Sequence, residues 1–414
     1  MRAKAGHPGT RSDLLYAQRQ SSHCPTTMPM RDTADTAPQA PIALPMPFGQ
    51  IRRVSIEGFR SLKKVEQLEL PQLAVLIGAN GVGKSSFIRF FEMLSWMLRA
   101  RKLGEFVLRH GGGDDQFFMG ARRTPRLHAD IRIETPQGSN DYRFDMLHQS
   151  AGDGIIVMNE AYRGSDPSGG KEIPWRQMAS LGTEAQLPEQ QDETARSILN
   201  VLKQCATYQF HDTSANANIR LRWDVSDGFR LRSDGGNLAA VLLDLHEHDN
   251  ARYQYIIRQI QRVFPALDDF VLEPVAGKVL LRWQSRHSDK TFGAHLTSDG
   301  SLRLFCLITL LSLPEDRLPA VMFLDEPELG LHPHAIALVA DMTKQVAQKR
   351  QVFIATQSPY MVDCFELENI IVAEADNDGA TSLRSLPRAD YDAWLQDDYS
   401  LSDIWLRSPV GGRV

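Results

Sequence analysis

Val75-Leu76-Ile77-Gly78-Ala79-Asn80-Gly81-Val82-Gly83-Lys84-Ser85-Ser86 is the stretch on which the fold turns. An apolar run rich in β-formers enters a glycine loop of the form G-x-x-x-x-G-K-S. Phe87, Phe90, Phe91, Leu94, Met97 and Leu98 then recur at helical spacing, which predicts an amphipathic helix from Ser85 to about Arg101. The glycines of Gly78 to Ser86 let successive backbone N–H groups turn inward around phosphate oxygens. Lys84 can reach the β- and γ-phosphates, and Ser85 can give its hydroxyl to Mg2+. The positive end of the helix faces the same anion. Strand, loop and helix together predict a site for ATP and Mg2+.

A second stretch supplies what the first lacks. Phe323-Leu324-Asp325-Glu326-Pro327 is an apolar strand ending in two carboxylates. Magnesium beside a nucleotide needs an acidic partner at a strand end, and Asp325 fits that need. Glu326, one residue on, can polarise or deprotonate an attacking water. Leu296-Thr297-Ser298-Asp299-Gly300-Ser301 precedes an apolar helical pattern and reads as a helix cap that could also face an anion. Ala355-Thr356-Gln357-Ser358-Pro359 follows a buried strand, where Gln357 could sense the γ-phosphate or place water.

Bulk properties narrow the class. The chain has 414 residues, enough for a substantial core and more than one lobe. Its formal net charge of −5 is no polyanion-binding signature for the molecule as a whole, although a local basic patch would suffice. Arg99, Arg101, Lys102, Arg122, Arg123 and Arg126 are candidates for such a patch. Cys24, Cys205, Cys306 and Cys364 show no C-x-x-C spacing, which argues against a disulfide framework or zinc site and for a cytoplasmic location. No apolar run is long enough to cross a bilayer, and Met1 to Gln20 lacks the apolar stretch of a secretory signal.

Along the chain, residues 1–47 are rich in Pro, Thr, Ser and Ala without periodicity and read as a disordered N-terminal extension. Residues 48–101 hold the first half of the nucleotide core. Residues 102–296 form an insert, β-rich at first and then helical over Thr194 to Cys205, Asn237 to His246 and Asn250 to Val263. Residues 297–414 hold the second half, with buried strands at Ala320 to Leu324, Gln351 to Ala355 and Asn369 to Ala373. Buried strands alternating with helices predict an α/β fold, a mixed sheet flanked by helices, with the insert as a β-rich and helical lobe. Asp376 to Gly379 reads as a hairpin turn.

The order GANGVGKSS, insert, LTSDGSLR, LDEPELGLHP, ATQSP resembles the ABC-type ATPases of the RecF/SMC branch, and more closely the single-chain proteins labelled AAA family ATPase. Ile56 to Ser61, Tyr208 to Ser214 and Asp398 to Trp405 are similar to further segments of that subgroup. The resemblance implies that Gly78 to Ser86 bind the phosphates and Mg2+, and that Asp325 and Glu326 are the Walker B pair. It implies that Ser298, Asp299 and Gly300 form a signature loop acting on the nucleotide of a second subunit. Glu328 to His332 would be the subunit-crossing D-loop, and Gln116 the glutamine that faces magnesium. Gln357 stands where many relatives carry a switch histidine; its amide can hydrogen-bond phosphate or water but carries no proton.

The implied activity is ATP hydrolysis in a head-to-tail homodimer that sandwiches two nucleotides, in DNA repair or genome maintenance. An alternative is a sensor or scaffold subunit of an anti-phage system that works with a separate effector nuclease. The β-rich insert does not suit a transporter motor, and nothing suggests a membrane partner.

Overall fold

The computed structural model describes residues 49–407 apart from 137, 166–172, 179–180 and 398. The expected disordered extension at 1–47 lies outside them. Leu73–Ile77, Val321–Asp325 and Gln351–Thr356 are nearly continuous apolar runs, and each is almost wholly buried. Such runs suit strands covered on both faces. They form the middle of a six-stranded sheet in the order Thr381–Ser385, Ile370–Ala375, Leu73–Ile77, Gln351–Thr356, Val321–Asp325, Cys205–Tyr208. Only the hairpin between Ile370–Ala375 and Thr381–Ser385 pairs antiparallel.

Side chains alternate between the two faces of this sheet. Val75, Ile77, Met322, Leu324, Val352 and Ile354 enter one core with the helices Leu238–His248, Asn250–Val263, Asp299–Leu311 and Pro333–Ala347. Ala74, Leu76, Val321, Phe323, Phe353 and Ala355 enter the other, which holds the helix Lys84–Ser95. That helix lies between the parallel sheet and an antiparallel sheet built from Gln50–Phe59, Leu62–Glu69, Arg126–Thr135, Gly138–Gln149 and Gly154–Gly164. Phe323 stacks on Phe91 at 5.0 Å and on Phe353 at 4.7 Å, fixing the phosphate-loop helix against the acidic strand. Offset aromatic pairs of this kind add about 0.5–1.5 kcal/mol beyond area burial.

Sequence periodicity misplaced several elements for identifiable reasons. The helix expected through Arg101 is α-helical only over Lys84–Ser95 and continues as a π-helical turn over Trp96–Ala100. The helix expected to reach Cys205 ends at Leu202, and Cys205–Tyr208 is instead the outermost parallel strand, pairing with Val321–Asp325. Its four residues show no period of their own; the partner strand creates it. Ser288–Gly293 and Thr381–Ser385 are strands for the same reason. The expected turn at Asp376 to Gly379 closes the last hairpin, with the Asp376 carboxylate accepting from the Asp378 and Ala380 amides.

Phe323→Ala should remove both ring contacts and leave a cavity that close-packed neighbours fill poorly. The expected loss of stability is about 3–5 kcal/mol, read as a shift in the urea unfolding curve. A loss below about 1 kcal/mol would show that the stack is not what ties the helix to the sheet.

Candidate functional site

Parallel pairing brings the strand ends together. Ile77 is in register with Thr356, and Ala355 with Asp325. The phosphate loop, Gln357 and the Asp325-Glu326 tip therefore leave the same edge of the sheet, on strands spaced about 4.8 Å apart.

The loop is braced from the far end of the chain. The Thr381 hydroxyl lies 2.8 Å from the Val82 carbonyl and 2.8 Å from the Ser61 hydroxyl, which in turn lies 2.8 Å from Ser86 Oγ. Gly83 has φ 104, and a Cβ there would lie 1.9 Å from Thr381 Oγ1. Only glycine meets both demands. Lys84 is buried, and its ammonium donates to the carbonyls of Gly78 at 2.6 Å and Ala79 at 2.9 Å. Burial pushes its pKa down, while the charges of Glu326, Asp325 and Glu328 oppose that shift. The lysine thus feels the carboxylates from the distant half of the sequence. Ser85 is exposed at the start of the helix.

At the acidic tip, Asp325 is buried, and the Gln209 amide donates to its Oδ2. His211 Nε2 donates to the Asp325 carbonyl at 3.0 Å. Glu326 adopts a left-handed backbone with φ 44. That conformation costs a side-chain-bearing residue about 1–3 kcal/mol and persists only where the surroundings enforce it. Its amide donates to the Ala355 carbonyl at 2.8 Å, and its carboxylate accepts from Gln357 Nε2 at 3.1 Å. Glu328 turns inward: Thr356 Oγ1 donates to it at 2.5 Å, and burial pushes its pKa up.

Ser298 caps the helix Asp299–Leu311, accepting from the Ser301 amide at 3.2 Å. Asp299 pairs with Arg220 at 2.9 Å. A Cβ on Gly300 would lie 2.5 Å from the Gly330 carbonyl, so this helix start presses on the loop after Glu326. Arg303 ties the contact by donating to the carbonyls of Phe210, His211 and Leu329. Among the described residues Ser298, Asp299 and Gly300 share no hydrogen bond or ion pair with Gly78 to Ser86.

Other sequence candidates have structural work. The Gln116 amide is fully buried, donating to the His110 and Gly112 carbonyls and accepting from Arg60 at 3.1 and 3.0 Å, so its polar atoms are spent inside the fold. Of the candidate basic residues, Arg101 pairs with Glu189, Lys102 with Glu105 and Arg126 with Asp145. His332 caps the helix Pro333–Ala347. Motif reading missed Thr381; Ser61 and Arg303 stood within segments noted for their family likeness but had no assigned partner. Gln209 and His211 likewise stood within such a segment without an assigned partner. All five act through tertiary contacts that spacing does not encode.

Residues 73–363 match the family described as "AAA domain, putative AbiEii toxin, Type IV TA system", and the chain belongs to this family. Its fold is that of an ABC-like P-loop ATPase of the RecF/SMC branch. The Septu protein PtuA of Bacillus thuringiensis is 31% identical over 97 residues, 22% of this chain; the matched stretch spans only 24% of that curated relative. Among solved structures, an Smc head bound to the C-terminal winged-helix domain of ScpA superimposes with a TM-score of 0.52 at 17% identity, covering 81% of this chain and 97% of that one. The Pyrococcus furiosus Smc head with an extended coiled coil, bound to the C-terminal domain of ScpA, gives 0.51 at 15%, covering 84% and 99%. At those identities the likeness concerns fold.

Gly83→Ala should displace the loop from Thr381 and weaken MgATP binding at least tenfold, measured by titration with a fluorescent ATP analogue, while the far-UV circular dichroism stays unchanged. Wild-type affinity would show that the loop tolerates the clash.

Proposed function

We propose that this chain is a Mg2+-dependent ATP hydrolase that works as an ATP-gated dimer. The observation that carries this reading is the Glu326 carboxylate, held by Gln357 on a strained backbone at the sheet edge that also bears the phosphate loop.

The donor set fits the nucleotide and its metal. Among the described residues the Lys84 ammonium is hydrogen-bonded by loop carbonyls alone, which phosphate oxygens can replace. Ser85 and Asp325 would hold Mg2+, the hydroxyl from the helix start and the carboxylate from the strand end. When bound, the ion would neutralise charge on the β- and γ-phosphates. Gly78, Ala79, Asn80, Gly81, Val82, Gly83 and Ser86 would supply backbone and hydroxyl donors around the phosphates. Lys84 would stabilise the charge that develops as the γ-phosphoryl group leaves. Glu326 would orient the attacking water and accept its proton, and Gln357 would aim Glu326 by the bond it already makes. Gln209 would keep the Asp325 carboxylate turned in one direction.

Ser298, Asp299 and Gly300 make no polar contact with the phosphate loop of their own chain, which supports a role in trans. A second copy, turned head to tail, would present them to the nucleotide. ATP would then hold two heads together, and hydrolysis would release them. Exposed Leu296, Leu329 and Tyr360 lie beside these loops in sequence and suit a surface covered in such a dimer.

Two settings fit this engine. One is DNA repair or genome maintenance, for which the SMC-head-like fold is the support. The other is an ATPase sensor or scaffold in anti-phage defence, paired with a separate effector nuclease. The family description, which names a toxin–antitoxin system, and the local match to Septu protein PtuA favour the second.

Glu326→Gln should retain MgATP binding, lower turnover by about 10²–10⁴-fold and accumulate a dimer, read by light scattering with ATP. Wild-type turnover in that variant would remove Glu326 from the mechanism. Duplex DNA that raises wild-type turnover at least severalfold would favour the repair setting. Co-purification of a nuclease from the native host, with turnover indifferent to DNA, would favour the defence setting.

A further inference from the structure

The loop that the proposed dimer presents to its partner's nucleotide carries an acid. Asp299 is the first residue of the helix Asp299–Leu311, and its side chain is 58% exposed. A carboxylate in a first helical turn suits the positive end of the helix. It also lies where that end would receive a phosphate, and like charges repel. A loop built to meet a triphosphate therefore needs the charge of Asp299 cancelled.

The counter-charge comes from a distant stretch of the chain. Arg220 donates from Nη2 to Asp299 Oδ1 at 2.9 Å. Its side chain is only 11% exposed, which is unusual for an arginine. Nε donates to the Thr213 carbonyl at 2.9 Å, and Nη1 donates to the Ala294 carbonyl. Thr213 and Ala294 are both buried. All three guanidinium nitrogens are thus engaged, and the planar fork is held in one orientation. Among the described residues Asp299 pairs with Arg220 alone. The same segment serves the other half of the site. Gln209 and His211 hold the Asp325 tip, and Arg220, eleven residues after Gln209, holds the Ser298-Asp299-Gly300 loop.

We propose that Arg220 is a positioning residue for the nucleotide of the second subunit: it cancels the charge of Asp299, so that the Ser298-Asp299-Gly300 loop can close on the partner's triphosphate. This role rests on the ATP-gated dimer proposed above. With Arg220 in place the pair is close to neutral, and the helix start keeps its pull on an anion. Without Arg220 the half-exposed carboxylate would meet the γ-phosphate uncompensated.

The test uses the full chain carrying Glu326→Gln, whose dimer with ATP is read by light scattering. Adding Arg220→Gln should weaken that dimer at least tenfold. Adding Asp299→Asn as well should bring it back to within about threefold of the Glu326→Gln chain, because charge and counter-charge leave together. A merely structural arginine would show no such recovery, since Asp299→Asn restores neither carbonyl bond. Asp299→Asn with Arg220 intact keeps both carbonyl bonds, and its dimer should be at least as tight as that of the Glu326→Gln chain. A dimer untouched by Arg220→Gln, a loss that Asp299→Asn does not recover, or a dimer weakened by Asp299→Asn alone would each overturn the role of Arg220. A Glu326→Gln chain that forms no dimer with ATP would instead overturn the dimer reading on which that role stands.

Discussion

Everything at the candidate site depends on parallel register. Three strands far apart in sequence end at one level because Ile77 pairs with Thr356 and Ala355 with Asp325. A slip of one residue would turn every side chain to the opposite face, exchanging the residues of the two cores. The alternation of Val75 and Ile77 against Ala74 and Leu76, and of Met322 and Leu324 against Val321 and Phe323, penalises such a slip. Hydrophobic burial thereby sets where an ammonium and several carboxylates meet.

Those charges meet under tension. Burial disfavours the Lys84 ammonium, and the acidic residues across the edge favour it. Glu328 is protected from solvent and carries a raised pKa, so the ionised form that Lys84 would prefer is the one burial resists. Glu326 adds backbone strain enforced by the Ala355 and Gln357 contacts. A polyanion with a divalent ion would relieve part of this tension, because it supplies charges of both signs in the space between these groups. The strained Glu326 backbone and the opposed charges of Lys84 and Glu328 lie where the chemistry is proposed.

The nucleotide loop and the acidic tip were legible because each couples a strong local pattern to a charge type that local folding does not require. The α/β class followed from buried runs alternating with helical periods. What stayed hidden was of another kind. Cys205–Tyr208 is too short to show a strand period, yet it sets the edge of the sheet and leads into Gln209 and His211. Thr381 sits in an ordinary polar stretch, and only the folded chain places its hydroxyl on Val82. Gln116 matched a functional position loosely, but its amide is consumed by Arg60 and two carbonyls. Sequence spacing sees neighbours on one element; it does not see which distant residue completes a hydrogen bond.

The brace between Thr381 and the phosphate loop spans 299 residues to Val82 and 320 to Ser61. During synthesis the chain emerges from its N-terminal side at about 5–20 residues per second, so the glycine loop leaves the ribosome well before its brace exists. A nascent chain therefore carries the loop without this brace until Thr381 has emerged. A product terminated before Thr381 would own the motif without the hydroxyl that braces Val82 and Ser61.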